Sequence, residues 1–119
     1  MAKHIQTGKR GEALGCNWLK LHNYEIINRN WRTGNWEIDV IAHKNKTLHF
    51  IEIKTRKASR GLHPEENVSY KKLQNMLFAA EVYLYENPQW TKIQFDILAI
   101  TFSAKQPIEY YLIEDISEG

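Results

Sequence analysis

Apolar residues recur along this chain with two different periods, and the switches between them mark its elements. Leu14, Trp18 and Leu21 recur at helical spacing and predict a helix over Thr7–Leu21, with Thr7 near its N-cap. Tyr24–Asn28 reads as a short strand. Trp36–Ala42 and Thr47–Thr55, rich in Ile, Val and Phe, read as stronger strands. The polar link His43-Lys44-Asn45-Lys46 between them predicts a hairpin. A polar segment, Arg56–Asn67, contains Gly61 and Pro64. Beyond it, Leu73, Met76, Leu77, Ala80 and Leu84 form the expected buried stripe of a helix over Ser69–Glu86, which Asn87-Pro88 ends. Ile93–Phe102 and Glu109–Ile113 read as two closing strands. The order α-β-β-β-α-β-β predicts an α/β fold with a mixed central sheet flanked by helices.

No repeat, low-complexity tract or Pro/Gly/Ser linker divides the chain, so residues 1–119 are expected to form one domain. Apolar residues make up 43%, enough for a packed core. The lone Cys16 excludes an internal disulfide and a cysteine-based zinc site; it suits a reducing compartment and reads as a small core filler. No apolar run approaches the roughly 20 residues of a membrane span. Met1–Gln6 lacks the hydrophobic stretch of a secretory signal. The expectation is a cytoplasmic protein without a membrane partner. Charge adds a polarity: residues 1–72 hold 14 Lys and Arg against 7 Asp and Glu, whereas residues 73–119 hold 2 against 7. A basic face for a polyanion and a separate acidic face would produce that split, and so would chance clustering.

Strand alternation singles out the candidate chemistry. In Trp36-Glu37-Ile38-Asp39-Val40-Ile41 an extended chain puts Glu37 and Asp39 on one face, with Ile38 and Val40 on the other. In Phe50-Ile51-Glu52-Ile53-Lys54, Glu52 and Lys54 share a face. If the strands pair, Asp39, Glu52 and Lys54 converge at one end of the sheet. Ionisable groups among apolar strand residues need partners, because desolvating an unpaired charge is costly. One reading is a buried ion pair of Lys54 with Glu52 or Asp39 and no further task. The other is a divalent cation: two carboxylates beside one lysine leave a negative charge to balance, and oxygen-only ligands select Mg²⁺ or Mn²⁺ over zinc. Glu12 lies in line with Cys16 and Leu19 on the first helix; by itself it reads as a surface glutamate. His4, His22, His43, His49 and His63 show no ligand spacing and are expected in surface or turn positions. Trp31, Trp36 and Trp90 are core residues by default, with base stacking as the alternative.

Gly11-Glu12-Ala13, then Trp36-Glu37-Ile38-Asp39-Val40-Ile41-Ala42, then Phe50-Ile51-Glu52-Ile53-Lys54-Thr55-Arg56 resemble the uncharacterised bacterial YraN-type family. Lys72, Ala80, Leu84 and Phe95-Asp96-Ile97 extend the resemblance over nearly the whole chain. Through that family the chain resembles the PD-(D/E)XK nuclease superfamily, with its restriction-endonuclease-like fold, and is similar to archaeal Holliday-junction resolvases. Two departures stand out. Ile38, not proline, precedes Asp39, and Trp36 occupies the place of the glycine that usually precedes Glu-Ile-Asp, with Gly34 two residues earlier.

The resemblance implies that Asp39 and Glu52 are metal ligands, Lys54 is the motif lysine and Glu12 is the helical carboxylate that completes a catalytic site. The activity implied is Mg²⁺- or Mn²⁺-dependent hydrolysis of phosphodiesters by an endonuclease, with branched or structured DNA as substrate. The metal would polarise the phosphate and activate water, while Lys54 would orient the water or stabilise the developing charge. Arg56, Lys57 and Arg60 follow directly on the motif strand and are expected to contact flanking phosphates, with a solvated loop as the alternative; Lys72 reads either as joining them or as an exposed helix lysine. By analogy with resolvases a homodimer is expected. Two other classes stay open: a non-catalytic or partner-activated nucleic-acid-binding module, and a structural partner that docks through its acidic C-terminal half.

Overall fold

The computed structural model describes residues 2–58 and 70–116, with side chains from Gly8 onward. Its elements are α1 (Ala2–Leu21), β1 (Glu25–Thr33), β2 (Trp36–Lys44), β3 (Thr47–Lys57), α2 (Tyr70–Glu86), β4 (Ile93–Phe102) and β5 (Glu109–Ile113). The order is the expected α-β-β-β-α-β-β. The strands form one five-stranded sheet in chain order, β1-β2-β3-β4-β5. All neighbours are antiparallel except β3 and β4, which are parallel and joined through α2. A parallel pair requires such a crossover, and the helix it contains covers one face of the sheet.

Local chemistry sets the boundaries. Ala2 to Gln6 contain no helix breaker, so α1 starts at Ala2 and Thr7 lies within it rather than at its cap. At its other end Asn23 adopts φ 71°. The Tyr24 amide donates to the Leu19 carbonyl at 2.9 Å and the Asn23 amide to that of Lys20 at 3.1 Å. This is a Schellman cap with asparagine at the left-handed position. Gly34, at φ 58°, opens the two-residue turn between Thr33 and Trp36. Positive φ at the first central residue suits a hairpin turn and favours glycine there, which leaves position 36 open to a large side chain. Asn45 (φ 51°) and Lys46 (φ 66°) make the second tight turn, between Lys44 and Thr47.

Helices α1 and α2 lie on opposite faces of the sheet. Under α1, Cys16 and Leu19 pack with Val40, Ile51, Ile53, Leu98 and Ile100. Under α2, Met76, Ala79, Ala80 and Tyr83 pack with Ile38, Ile41, Leu48 and Phe50. The buried sides differ in part from those expected. Leu21 is 81% exposed and Leu77 41% exposed, while Leu19, Ala79 and Tyr83 are buried, together with Cys16, the expected core filler. Gly11 and Gly15 explain the shift on α1. A Cβ at Gly11 would overlap the Thr55 side chain, and one at Gly15 would lie 2.7 Å from Ile53 Cδ1. The helix therefore approaches β3 on its glycine side, and that side carries little hydrophobic signal. Among the described residues, no helix is long and apolar enough to cross a membrane.

Candidate metal centre and nucleic-acid face

Strands β2 and β3 pair from the Lys44–Thr47 turn only as far as Val40 opposite Ile51. Beyond that rung β2 continues toward Trp36 against β1, while β3 runs on to Lys57 against β4. The two strands form a fork, and Asp39 stands at its apex. Asn30, opposite Asp39 in the β1–β2 register, has φ 52°, so the backbone is irregular there. This irregularity overturns the expected alternation: Ile38 packs under α2 and Val40 under α1, on opposite faces.

Asp39 takes the place of the missing rung, its Oδ2 accepting a hydrogen bond from the Ile53 amide at 2.9 Å. Burial pushes its carboxyl up to about 8, and the charge of Glu52 adds to the rise; the Ile53 amide and Lys72 oppose it, and Glu12 reinforces it. Glu52, on β3, is 3% exposed. Its Oε1 is paired with the Lys72 ammonium in the first turn of α2. Burial alone would lower the pKa of Lys72, but the hydrogen bond and charge of Glu52, with Asp39 and Glu37 beyond, raise it above the ordinary value. Glu12 and Glu37 close the group: ligand oxygens of Glu12, Glu37 and Asp39 lie within 4.8 Å of one another. Two oxygens on a common cation can be separated by at most twice the metal–oxygen distance, about 4.2 Å for Mg²⁺ and about 4.8 Å for Ca²⁺. The donor set, all carboxylate, suits a hard divalent cation; its spacing is within the limit for Ca²⁺, and for Mg²⁺ the side chains would have to draw closer or bind through water.

The positions expected to form the site are thus brought together in part. Asp39 and Glu12 belong to one group at ligand spacing, with Glu37, while Glu52 lies outside that group and meets Asp39 through its charge. Lys54 follows Glu52 on β3, partly buried, and makes no ion pair among the described residues. The cation that does reach Glu52 is Lys72. Two lysines and no acid in the first turn of α2 run against the helix dipole, a signal present in the sequence for an anionic partner at that end. Glu37, for which the sequence pattern suggests no role, joins the group and also holds Arg32 Nε at 2.6 Å. Arg56 is partly buried, and its Nη1 has no hydrogen-bond partner among the described residues. Lys57 is exposed at the end of β3. Arg60 lies outside the described residues.

Other expectations are settled away from the fork. The Cys16 thiol is buried and pushed up by that burial, as suits a core filler. His49 is buried rather than on the surface, its Nδ1 2.7 Å from Asp96 Oδ2. Asp96 Oδ1 accepts hydrogen bonds from Gln94 Nε2 and the Asp115 amide, both at 2.9 Å, so this pair fastens the segment after β5 to the sheet. Trp31 packs edge-on against Tyr83, and Trp90 borders the same core. Trp36 remains 36% exposed.

The model of the Uncharacterised protein family UPF0102, the YraN family, matches residues 11–100. The chain belongs to this family. A UPF0102 protein of Cytophaga hutchinsonii is 44% identical over 99 residues, covering 83% of this chain and 88% of the relative. One of Oleidesulfovibrio alaskensis is 39% identical over 106 residues, 87% of this chain and 52% of the relative. A third, of Lawsonia intracellularis, is 33% identical over 117 residues, 98% and 88% of the two chains. The UPF0102 match spans Glu12, Glu37, Asp39, Glu52, Lys54 and Lys72, and so contains every member of the fork site.

Proposed function

We propose that this UPF0102 chain is a metal-dependent endonuclease that hydrolyses phosphodiesters in branched or otherwise structured DNA. The observation that carries the reading is that Asp39, at a strand fork, lies at ligand spacing from Glu12 and Glu37 and beside Glu52, so that the acids outnumber the two cations paired with them, Lys72 and Arg32. Asp39 and Glu52 would hold Mg²⁺ or Mn²⁺, with Glu12 joining them directly or through water. When bound, the cation supplies charge to polarise the scissile phosphate and to acidify an attacking water. Lys54, on the same strand as Glu52, would orient that water or meet the charge that develops on the phosphate. Arg56 and Lys57 continue from Lys54 toward the end of β3, where flanking phosphates would give the Arg56 guanidinium an acceptor. Pairing of two such sites in a homodimer would suit a two-strand substrate.

One observation favours a second reading. Lys72 already pairs with Glu52, as in a nucleic-acid-binding module that cleaves only after a partner or substrate draws the lysine away. Titration calorimetry with Mg²⁺ and Mn²⁺, run beside a cleavage screen over structured DNA and RNA with Asp39→Ala as control, separates the two. The endonuclease reading expects metal binding and cleavage, both lost in Asp39→Ala. Nucleic-acid binding without cleavage supports the module, and absence of both metal and nucleic-acid binding rejects both.

A further inference from the structure

A second gathering of charge lies across α1 from the fork. An α-helix turns about 100° per residue, so Arg10 and Glu12, two positions apart, point to nearly opposite sides. Gly11 lies between them, over Thr55 of β3. Glu12 faces Asp39 of β2, whereas the Arg10 guanidinium lies over the Phe102 ring of β4, 4.9 Å from its centroid. Lys57 alternates with Ile53 and Thr55 along β3 and therefore shares the α1 side of the sheet. Arg10, Lys57, Phe102, Ser103 and Ile108 line a cavity of about 490 Å³ there.

The charge of this cavity is unbalanced. Among the described residues no acid lines it, and neither Arg10 nor Lys57 is ion-paired with a carboxylate. Glu109, beside Ile108 in the chain, stands opposite Thr101 in the β4–β5 register. Thr101 alternates with Ile100 and Phe102, which lie under α1, so Glu109 belongs to the other side of the sheet. Two cations that converge without an acid leave positive charge for an anion to meet. The Phe102 ring covers one face of the Arg10 guanidinium and orders it, while the N–H groups around its rim stay free to donate. Ser103 Oγ accepts the Lys105 amide at 3.4 Å, which leaves the hydroxyl proton as a third donor.

The lining also selects the kind of anion. Two cations match a phosphomonoester, which carries about −1.5 to −2 at pH 7, better than a singly charged diester. The cavity falls in the size range of small-molecule sites, about 300–1,000 Å³, and is larger than one phosphate needs. Its remaining walls, Phe102 and Ile108, are apolar and suit a flat base rather than a sugar rich in hydroxyls. The outer face of the Arg10 guanidinium adds a plane on which a base can stack. We infer that this cavity binds a nucleoside monophosphate unit, its phosphate on Arg10, Lys57 and Ser103 and its base toward Ile108. A free nucleotide and the phosphorylated end of a strand both present that unit. The site lies across α1 from the carboxylates and needs no metal, so it goes beyond the endonuclease reading and does not depend on it.

The test is titration calorimetry with thymidine 5′-monophosphate and with thymidine, divalent metal being removed by a chelator. The wild-type chain should bind the monophosphate and not the nucleoside. Arg10→Ala and Lys57→Ala should each weaken the monophosphate about tenfold, the loss of one charge-assisted contact. Lys9→Ala removes the same charge from an exposed neighbour outside the cavity and should leave the affinity unchanged. Fluorescence anisotropy then compares a labelled strand of about twelve thymidines carrying a 5′-phosphate with the same strand ending in a 5′-hydroxyl. A preference for the phosphorylated strand that Arg10→Ala abolishes supports the site with a strand end as its ligand. Binding of the monophosphate without that preference supports it with a free nucleotide. Absence of monophosphate binding, equal binding of thymidine, or an equal loss in Lys9→Ala overturns the site. Thermal melts identify any variant that fails to fold; should Arg10→Ala be one, Lys57→Ala carries the test. Metal binding and cleavage play no part in these measurements, so their failure leaves the endonuclease reading standing.

Discussion

Asp39 concentrates the chemistry of the fork in one titration. Its carboxyl keeps a proton to about pH 8 in the fold, chiefly through burial and then through Glu52, whereas an unfolded chain releases it near pH 4. A raised carboxyl pKa contributes stability that is complete below the unfolded value and is lost as pH rises through the folded one. Asp39→Asn keeps an oxygen for the Ile53 amide and carries no charge. Melting curves should therefore show the variant at least as stable as the wild type at pH 8.5, with its relative advantage shrinking steadily toward pH 4. A difference that does not vary with pH would mean that Asp39 is ionised throughout. A divalent cation must displace the same proton, so metal affinity measured by calorimetry should rise from pH 6 to about pH 8 and then level off. Asp39 and Glu52 were legible in the sequence because carboxylates among β-branched residues stand out. The partner of Glu52 was not. Lys54 is nearest along the chain, but the ion pair is made by Lys72, twenty residues away, which only the packing of α2 on the sheet brings within reach.

At the scale of elements, the approach of α1 to β3 positions Glu12. In an open helix, glycine to alanine is stabilising by about 0.5–1 kcal/mol. Gly8→Ala should show that gain, since a Cβ there meets nothing within 4 Å. Gly11→Ala should instead cost about 1–3 kcal/mol, because the new methyl overlaps the Thr55 methyl. Adding Thr55→Ser removes that methyl and should recover much of the loss in denaturant titrations. If Gly11→Ala is neutral alone, the helix is not held at this distance. The same glycines explain why the buried side of α1 was misread. Leu14, Trp18 and Leu21 supply an apolar rhythm, but close packing follows the small residues, Gly11 and Gly15, with Cys16 and Leu19 alongside. The β3, α2 and β4 boundaries were easier to read, because turn residues or uninterrupted apolar runs bound them.

At the scale of the whole molecule, the excess of cations in residues 1–72 includes the end of β3. Binding of nucleic acid should fall steeply with salt, and neutralising Arg56, Lys57 and Arg60 together should lower the slope of log affinity against log salt by about 2–3. An unchanged slope would place the phosphate contacts elsewhere. The element order was legible because each switch of period is sharp, while the fork was not: it arises where pairing stops, and no residue marks the absence of a rung. The sheet also follows chain order, with α2 as the long connection between neighbouring strands. Strands β1 to β3 are joined by tight turns, so their contacts are local and can form early in folding, whereas the β3–β4 pairing must wait for a longer closure. The hairpins bring Glu37, Asp39 and Glu52 together, but their balancing lysine travels on the later crossover. Refolding followed by stopped-flow fluorescence at pH 8.5 should consequently accelerate with moderate salt, which screens those charges until Lys72 arrives. The same acceleration should be absent from Asp39→Asn/Glu52→Gln, whose hairpins assemble without that repulsion.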